Sequence, residues 1–505
     1  MNTINRRTVL LGGLAAAATG VLAGCSKSGG STPSTPSLVA PTGAEVARAE
    51  DARKGTGREH KVALTAVPAT IGLGAGLLAA TWAFDRRTPG TPIRIPAGDT
   101  LVATLSNRLP TGSATSIHWH GVALRNDMDG VPGVTQKPTA SGDSLTYRFV
   151  APDPGTYFFH PHVGVQLDRG LYAPLIVEDP KEPLSYDDEF MVVLDDWVDG
   201  LNGTPDDVFA EVKQGMGGMG SMPGMSMRYL LMDAESELLG GDAGDVKYPY
   251  HLINGRVAAD PEVYTAKPGT RVRLRIINAG SDTAYRVALG GHKLTITHTD
   301  GYPVEHKQFD ALLIGMGERY DVLVTLADGV FPLVALAEGK NQTGMAMVRT
   351  GAGTRPPAAA RPAELSGSIG MASQLEAAEE ARLKQAEPDV THQLKLTGGM
   401  DEYDWSVNGK RFDMEDPAAT PLLIRAGQRV RLEFVNDTDM WHPMHLHGHT
   451  YQLGDAGPRK DTAIVLPRKT LSVIFDADNP GQWLLHCHNA YHGEAGMMAL
   501  VAYQA

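Results

Sequence analysis

The sequence predicts an all-β protein of three consecutive β-sandwich domains, and three observations carry that expectation. Glycine (57) and proline (33) are plentiful while charged residues make up only 20% of the chain, which suits turn-rich β structure better than helix. At 505 residues the chain is too long for one core and calls for about three domains. A turn-and-strand unit also recurs three times. Ile95-Pro96-Ala97-Gly98-Asp99 leads into TLVATLSNRL, Ala266-Lys267-Pro268-Gly269-Thr270 into RVRLRIINAG, and Ile424-Arg425-Ala426-Gly427-Gln428 into RVRLEFVNDT, each with period-two alternation after a glycine turn.

In chain order, residues 1–25 read as an export signal. Arg6-Arg7 precede an apolar run from Val9 to Ala23 that is too short to span a bilayer comfortably. The run ends Leu22-Ala23-Gly24-Cys25, which resembles a bacterial lipoprotein cleavage site with Cys25 as the acylated residue. Residues 26–57, rich in Ser, Thr, Pro and Gly and then charged, are expected to be a flexible tether. The apolar stretch Val62 to Phe84 is broken by Pro68 and by glycines, so it reads as the opening strands of domain one (58–180) rather than a membrane span. Domain two (181–350) carries a Met-rich insertion at 214–232. Residues 351–388 are a linker with one exposed helix expected over SQLEAAEEARLKQAE, and domain three is 389–505.

Domains one and three match beyond the turn. Gly98 and Gly427, His118 and His445, and His160 and His486 are separated by nearly equal stretches, about 330 residues. The lead-ins DPGTYFFHPH and NPGQWLLHCH also correspond. Domain two lacks such pairs and reads as a spacer, with His292 and His298 outside any ligand set.

The chemistry is concentrated in His118-Trp119-His120, His160-Pro161-His162, His442-Pro443-Met444-His445-Leu446-His447 and His486-Cys487-His488, with His492 and Met497 following. On a strand successive side chains face opposite ways, so Cys487 serves one centre while His486 and His488 serve another. Two His, one Cys and a soft Met (His442, His492, Cys487 and Met497) form the ligand set of a blue-copper site. The eight remaining histidines stand in four His-x-His pairs, enough for a further cluster of three coppers shared by domains one and three. With only two cysteines an ordinary disulfide framework is absent, and acylation of Cys25 would leave Cys487 as the one free thiol.

Taken together, HWHG, HPH, HPMHLHGH and HCHNAYHGEAGM resemble the motifs of a three-domain multicopper oxidase of the laccase-like type, over nearly everything after residue 58. The resemblance implies cupredoxin-like Greek-key sandwiches and four copper ions: one blue (type 1), one type 2 and a binuclear type 3 pair. It places His442, Cys487, His492 and Met497 on the blue copper and His118 with His445 on the type 2 copper. His120, His160 and His488 fall to one type 3 ion, and His162, His447 and His486 to the other. It implies four-electron reduction of O2 to water, with Cys487 conducting electrons to the cluster. It also implies a proton-relaying acid at Asp129. A second family acid directly follows the histidine matched by His492; here that position is Gly493, and Glu494 is the nearest candidate.

For the electron donor, Met216, Met219, Met222, Met225, Met227 and Met232 in a Gly-rich setting are soft thioethers matched to Cu(I), with Asp439 and Met440 as a second soft-and-hard pair. The combination is similar to exported bacterial copper-tolerance oxidases. The expected function is therefore Cu(I) oxidation at the outer face of the cytoplasmic membrane or in the periplasm. The alternatives are a laccase-type phenol oxidase or Fe(II)/Mn(II) oxidase, and a non-catalytic copper-sequestering envelope protein. A net charge of -13 argues against a nucleic-acid partner. A monomer held to the membrane only by lipid is expected.

Overall fold

The computed structural model describes residues 37–216 and 227–505. Arg6, Arg7 and Cys25 therefore lie outside the described residues. Three sandwiches follow one another, with sheets of four and four strands, seven and six strands, and six and five strands. Each repeated glycine takes the positive φ that only glycine adopts freely: 84° at Gly98, 83° at Gly269 and 82° at Gly427. The strand after each turn (Thr100–Asn107, Arg271–Asn278, Arg429–Asn436) is flanked the same way in all three domains. On one side it pairs in parallel with Glu59–Gly74, Asp188–Trp197 or Val390–Thr397. On the other it pairs antiparallel with Ser144–Val150, Arg319–Thr325 or Thr470–Asp476. Alternate residues of these strands fill one apolar core per sandwich, where each fully buried large side chain contributes about 1.5–3 kcal/mol.

The Val62 to Phe84 stretch forms the strands Glu59–Gly74 and Leu77–Phe84. Among the described residues no helix is long and apolar enough to cross a membrane.

Two expectations need correction. From residue 37 onward the supposed tether is folded. Val39 and Val46 are buried, and Val39 N–H donates to the Tyr503 carbonyl (2.8 Å). The helix Ala44–Ala52 follows; Glu50 accepts from Val150 N–H (2.9 Å) and Arg53 donates to Asn479 Oδ1 (3.0 Å). Two apolar anchors and these polar contacts make the segment a strap across domains one and three. The linker helix is absent too. Its sequence runs through short 3-10 turns, Ala372–Gln374 and Glu379–Ala381. Leu375, Ala377 and Ala381 are buried, and Ala377 N–H donates to the Ala456 carbonyl (3.0 Å), so tertiary anchoring outweighs helical propensity.

Candidate metal centre

Strand alternation builds the site as the spacing requires. His118 pairs with His160 in domain one, and His445 pairs with His486 in domain three. Between the histidines, Trp119 points into the core of domain one, while Leu446 and Cys487 point into that of domain three. The eight histidines of the four pairs thus converge between the two domains, and all but the half-buried His162 are buried.

Their hydrogen bonds fix which nitrogen faces inward. His118 Nδ1 donates to the Asp129 carbonyl (3.0 Å) and His445 Nδ1 to the Asp461 carbonyl (2.9 Å). Carbonyls only accept, so both Nε2 atoms carry lone pairs, and they face each other at 3.4 Å. His447 Nδ1 donates to Asp129 Oδ2 (2.9 Å) and His486 Nδ1 to the Cys487 carbonyl (2.9 Å), which leaves their Nε2 atoms 3.1 Å apart. His162 Nε2 lies 3.4 Å from His486 Nε2. His120 Nδ1, His160 Nε2 and both nitrogens of His488 are buried without a partner. Facing lone pairs and orphaned nitrogens are repulsive or costly unless a cation lies between them. The donor set therefore fits bound copper. Burial, reinforced by neighbouring imidazoles, holds His120, His160, His162, His447, His486 and His488 well below the ordinary histidine range, in the neutral form that binds a metal.

A second group lies behind the first. Cys487 Sγ is 3.7 Å from His442 Nδ1 and 3.8 Å from His492 Nδ1, which are themselves 3.2 Å apart. Met497 is fully buried beside them, its carbonyl accepting from Cys487 N–H (3.0 Å). Trp405 lies over His492 with ring centroids 4.3 Å apart. Domain two contributes here although it supplies no histidine to either group. Asp245 Oδ2 is 2.9 Å from His492 Nε2 and accepts from Tyr403 Oη (3.0 Å). Burial would lower His492, but Asp245 and the Cys487 sulfur push it up to about 10, so a metal displaces a proton when it binds.

The two acids differ. Asp129 is fully buried and bridges His118 and His447. Glu494 lies exposed on the helix Ala490–Ala495 and lines a cleft of about 40 Å³ that opens onto His160, His162, His486 and His488. A side chain at Gly493 would come within 3.0 Å of the Cys487 carbonyl, so the position of the missing acid is itself against the site.

Among the donor candidates, Met216, Met227 and Met232 are exposed, while Met219, Met222 and Met225 lie outside the described residues. The ends of the Met-rich stretch are tied together: Glu211 Oε1 accepts from Tyr229 N–H (2.7 Å) and Leu230 N–H (2.9 Å). Phe209, two residues earlier, packs on Tyr491, the neighbour of His492. Asp439 and Met440 do not form a pair. Met440 is buried in the core of domain three, whereas Asp439 is turned to solvent and bound by Arg468 (2.8 Å), because adjacent residues point to opposite sides. The residue beside Met440 is instead Asp242, a half-buried carboxyl that accepts from Gly244 N–H and is pushed up to about 6 by burial and by Asp245 and Asp282. Asp242, Asp245 and Tyr403 stand in no local motif. Only their approach through the fold reveals them.

Three family models described as multicopper oxidase match residues 69–182, 189–353 and 385–505. The chain is 49% identical over 469 residues to the multicopper oxidase MmcO of Mycobacterium tuberculosis, covering 91% of this chain and 90% of that one. It is 30% identical to a copper resistance protein A homolog of Pseudomonas syringae pv. tomato, covering 81% and 86%. Among solved structures it is similar to a multi-copper oxidase from Pseudomonas thermotolerans (TM-score 0.66, 26% identity, 88% of this chain and 99% of that one). It is also similar to a laccase from Botrytis aclada (TM-score 0.70, 25% identity, 93% and 92%).

Proposed function

This chain belongs to the multicopper oxidase family, and from that premise we propose that it oxidises Cu(I) and passes the electrons to O2, reducing it to water. One observation carries the reading: Cys487 faces His442 and His492, while its chain neighbours His486 and His488 face the eight-histidine group. A single tripeptide thereby links the two centres through a few covalent bonds.

His442, Cys487, His492 and Met497 would hold the blue copper, and His118 with His445 the type 2 ion. His120, His160 and His488 would hold one type 3 ion, and His162, His447 and His486 the other. When bound, copper supplies one-electron transfer at the first centre and dioxygen chemistry at the second. Trp405 and the apolar core keep water from the Cys487 side. Asp129 orients His118 and His447 and is the acid we assign to proton delivery, with Glu494 as the second acid at the open cleft.

Cu(I) is favoured as donor by three features. The Met-rich stretch is anchored beside the helix that carries His492. Met216 N–H donates to the Met400 carbonyl (2.8 Å), next to the loop bearing Tyr403. From Tyr403 the hydrogen bonds run through Asp245 to His492, and Asp242 adds a carboxyl that, among the described residues, accepts from Gly244 N–H and forms no salt bridge. Two relatives bear the name copper resistance protein A, which accords with this donor. We further assign residues 1–25 to twin-arginine export and Cys25 to lipid attachment, which would place a monomeric enzyme at the cell envelope.

The test is oxygen uptake by copper-loaded protein given Cu(I), Fe(II) and a phenol in parallel. Cu(I) is expected to give the highest kcat/KM. A phenol turned over while Cu(I) is not would make the protein a laccase, and no uptake with any donor would leave only copper sequestration.

A further inference from the structure

Domain two supplies no histidine to the eight-histidine group, yet it holds a guanidinium against its outer side. Arg319 is fully buried and grips Asp461 of domain three with both arms, Nη1 to Oδ1 at 2.6 Å and Nη2 to Oδ2 at 2.7 Å. Its Nε donates to the Thr156 carbonyl (3.0 Å), on the domain-one strand that ends in His160. Asp461 Oδ1 in turn lies 3.1 Å from His120 Nε2 and 3.4 Å from His445 Nδ1. Thr462 Oγ1 sits 3.2 Å and 3.1 Å from the same two nitrogens and donates to Asp461 Oδ1 (2.9 Å). Asp300, also of domain two, accepts from the backbone N–H groups of Asp461 (3.1 Å) and Thr462 (3.2 Å), so the carboxylate is fixed from both ends.

The consequence falls on His120. A carboxylate held by an arginine only accepts, so His120 Nε2 carries the proton and Nδ1 is left bare and unpartnered. His118, His160, His445, His447 and His486 do the reverse, engaging Nδ1 outward and leaving Nε2 free. The Asp461 carboxylate thus sets the tautomer of a domain-one ring, while the backbone carbonyl of the same residue orients a domain-three ring.

We propose that Arg319 is a positioning residue for the trinuclear copper site, acting through Asp461 to fix the tautomer of His120 and the seating of His445. Domain two is then a working part of that site rather than a spacer. The inference rests on the ligand assignment above. Fork geometry matters as well as charge, because a planar bidentate pair sets direction where an ammonium sets only position.

The experiment compares copper-loaded wild type, Arg319→Met, Arg319→Lys and the control Arg273→Met. Arg273 makes an equally buried ion pair with Asp321 (2.5 Å) and touches no histidine of the site. Copper per chain, visible absorption of the Cys487 centre and electron paramagnetic resonance of the type 2 ion are measured for each. Arg319→Met is expected to keep the blue absorption, to change the type 2 signal and to weaken copper retention at the cluster by about 10- to 100-fold. Arg319→Lys should restore part of the loss, and Arg273→Met should lose thermal stability with an unchanged type 2 signal. A folded Arg319→Met with wild-type copper and wild-type resonance overturns the inference, as does the same spectral change in Arg273→Met. Should Arg319→Met not accumulate, Thr462→Val removes only a neutral hydroxyl from the same contact. A shifted type 2 signal then supports the inference and an unchanged one overturns it. Wild-type protein that lacks the type 2 signal, or that holds well under four coppers per chain, would defeat the ligand assignment instead.

Discussion

At the scale of single residues, Cys487 joins the two proposed copper sites, its sulfur beside His442 and His492 and its chain neighbours among the eight histidines. Alternation along one strand separates Cys487 from His486 and His488, and no knowledge of the fold is needed to see it. Asp245 is invisible for the opposite reason: it reaches His492 across 247 residues and from another domain. Cys487→Ser is expected to abolish the intense thiolate-to-copper absorption and nearly all turnover while the far-ultraviolet circular dichroism stays native. An absorption spectrum that remains blue would refute the assignment. Asp245→Asn should keep the blue colour but lower kcat/KM for Cu(I) by about 10- to 100-fold, since it removes a charge bonded to a ligand ring. Asp242 adds a pH dependence. Its carboxyl, pushed up to about 6, becomes neutral as pH falls below that value and loses its attraction for a cation. The apparent KM for Cu(I) should therefore rise by up to about tenfold per pH unit below 6 in steady-state assays, and Asp242→Asn should flatten that rise.

At the scale of elements, the three turn-and-strand units were legible because a glycine turn followed by alternation is a strong local code, and all three adopt the same φ. The linker was not, because SQLEAAEEARLKQAE carries helical propensity that the anchoring of Leu375, Ala377 and Ala381 overrides. Asp439 and Met440 misled in a similar way, as chain neighbours whose side chains part. We propose the Met-rich stretch as the element on which donor choice turns. Deleting residues 215–227 is expected to raise the apparent KM for Cu(I) and to leave the blue absorption and copper content intact, since none of the proposed copper ligands lies there. Oxidation of a bulky phenol should hold or rise. Unchanged Cu(I) kinetics would reduce the stretch to an inert insertion.

At the scale of the whole molecule, equal spacing between domains one and three announced that they share a cluster, and the pairing of His118 with His160 and His445 with His486 shows the two halves in equivalent register. The part of domain two and of the N-terminal strap was hidden, because Arg319, Asp245 and Val39 act only through contacts that the fold creates. Fractionation of cells should find the mature protein with membranes, and Cys25→Ala in the soluble fraction, since several acyl chains anchor stably where one does not. Equal solubility of the two would exclude lipid attachment. The central claim is that electrons from Cu(I) pass through Cys487 to a cluster that completes the reduction of O2. It is tested most directly by measuring Cu(I) oxidised and O2 consumed together, in copper-loaded wild type and in Cys487→Ser. About four Cu(I) per O2 in wild type, with almost none in the variant, is the expected result. About two Cu(I) per O2 with peroxide released, or a variant that consumes O2 at the wild-type rate, would contradict it.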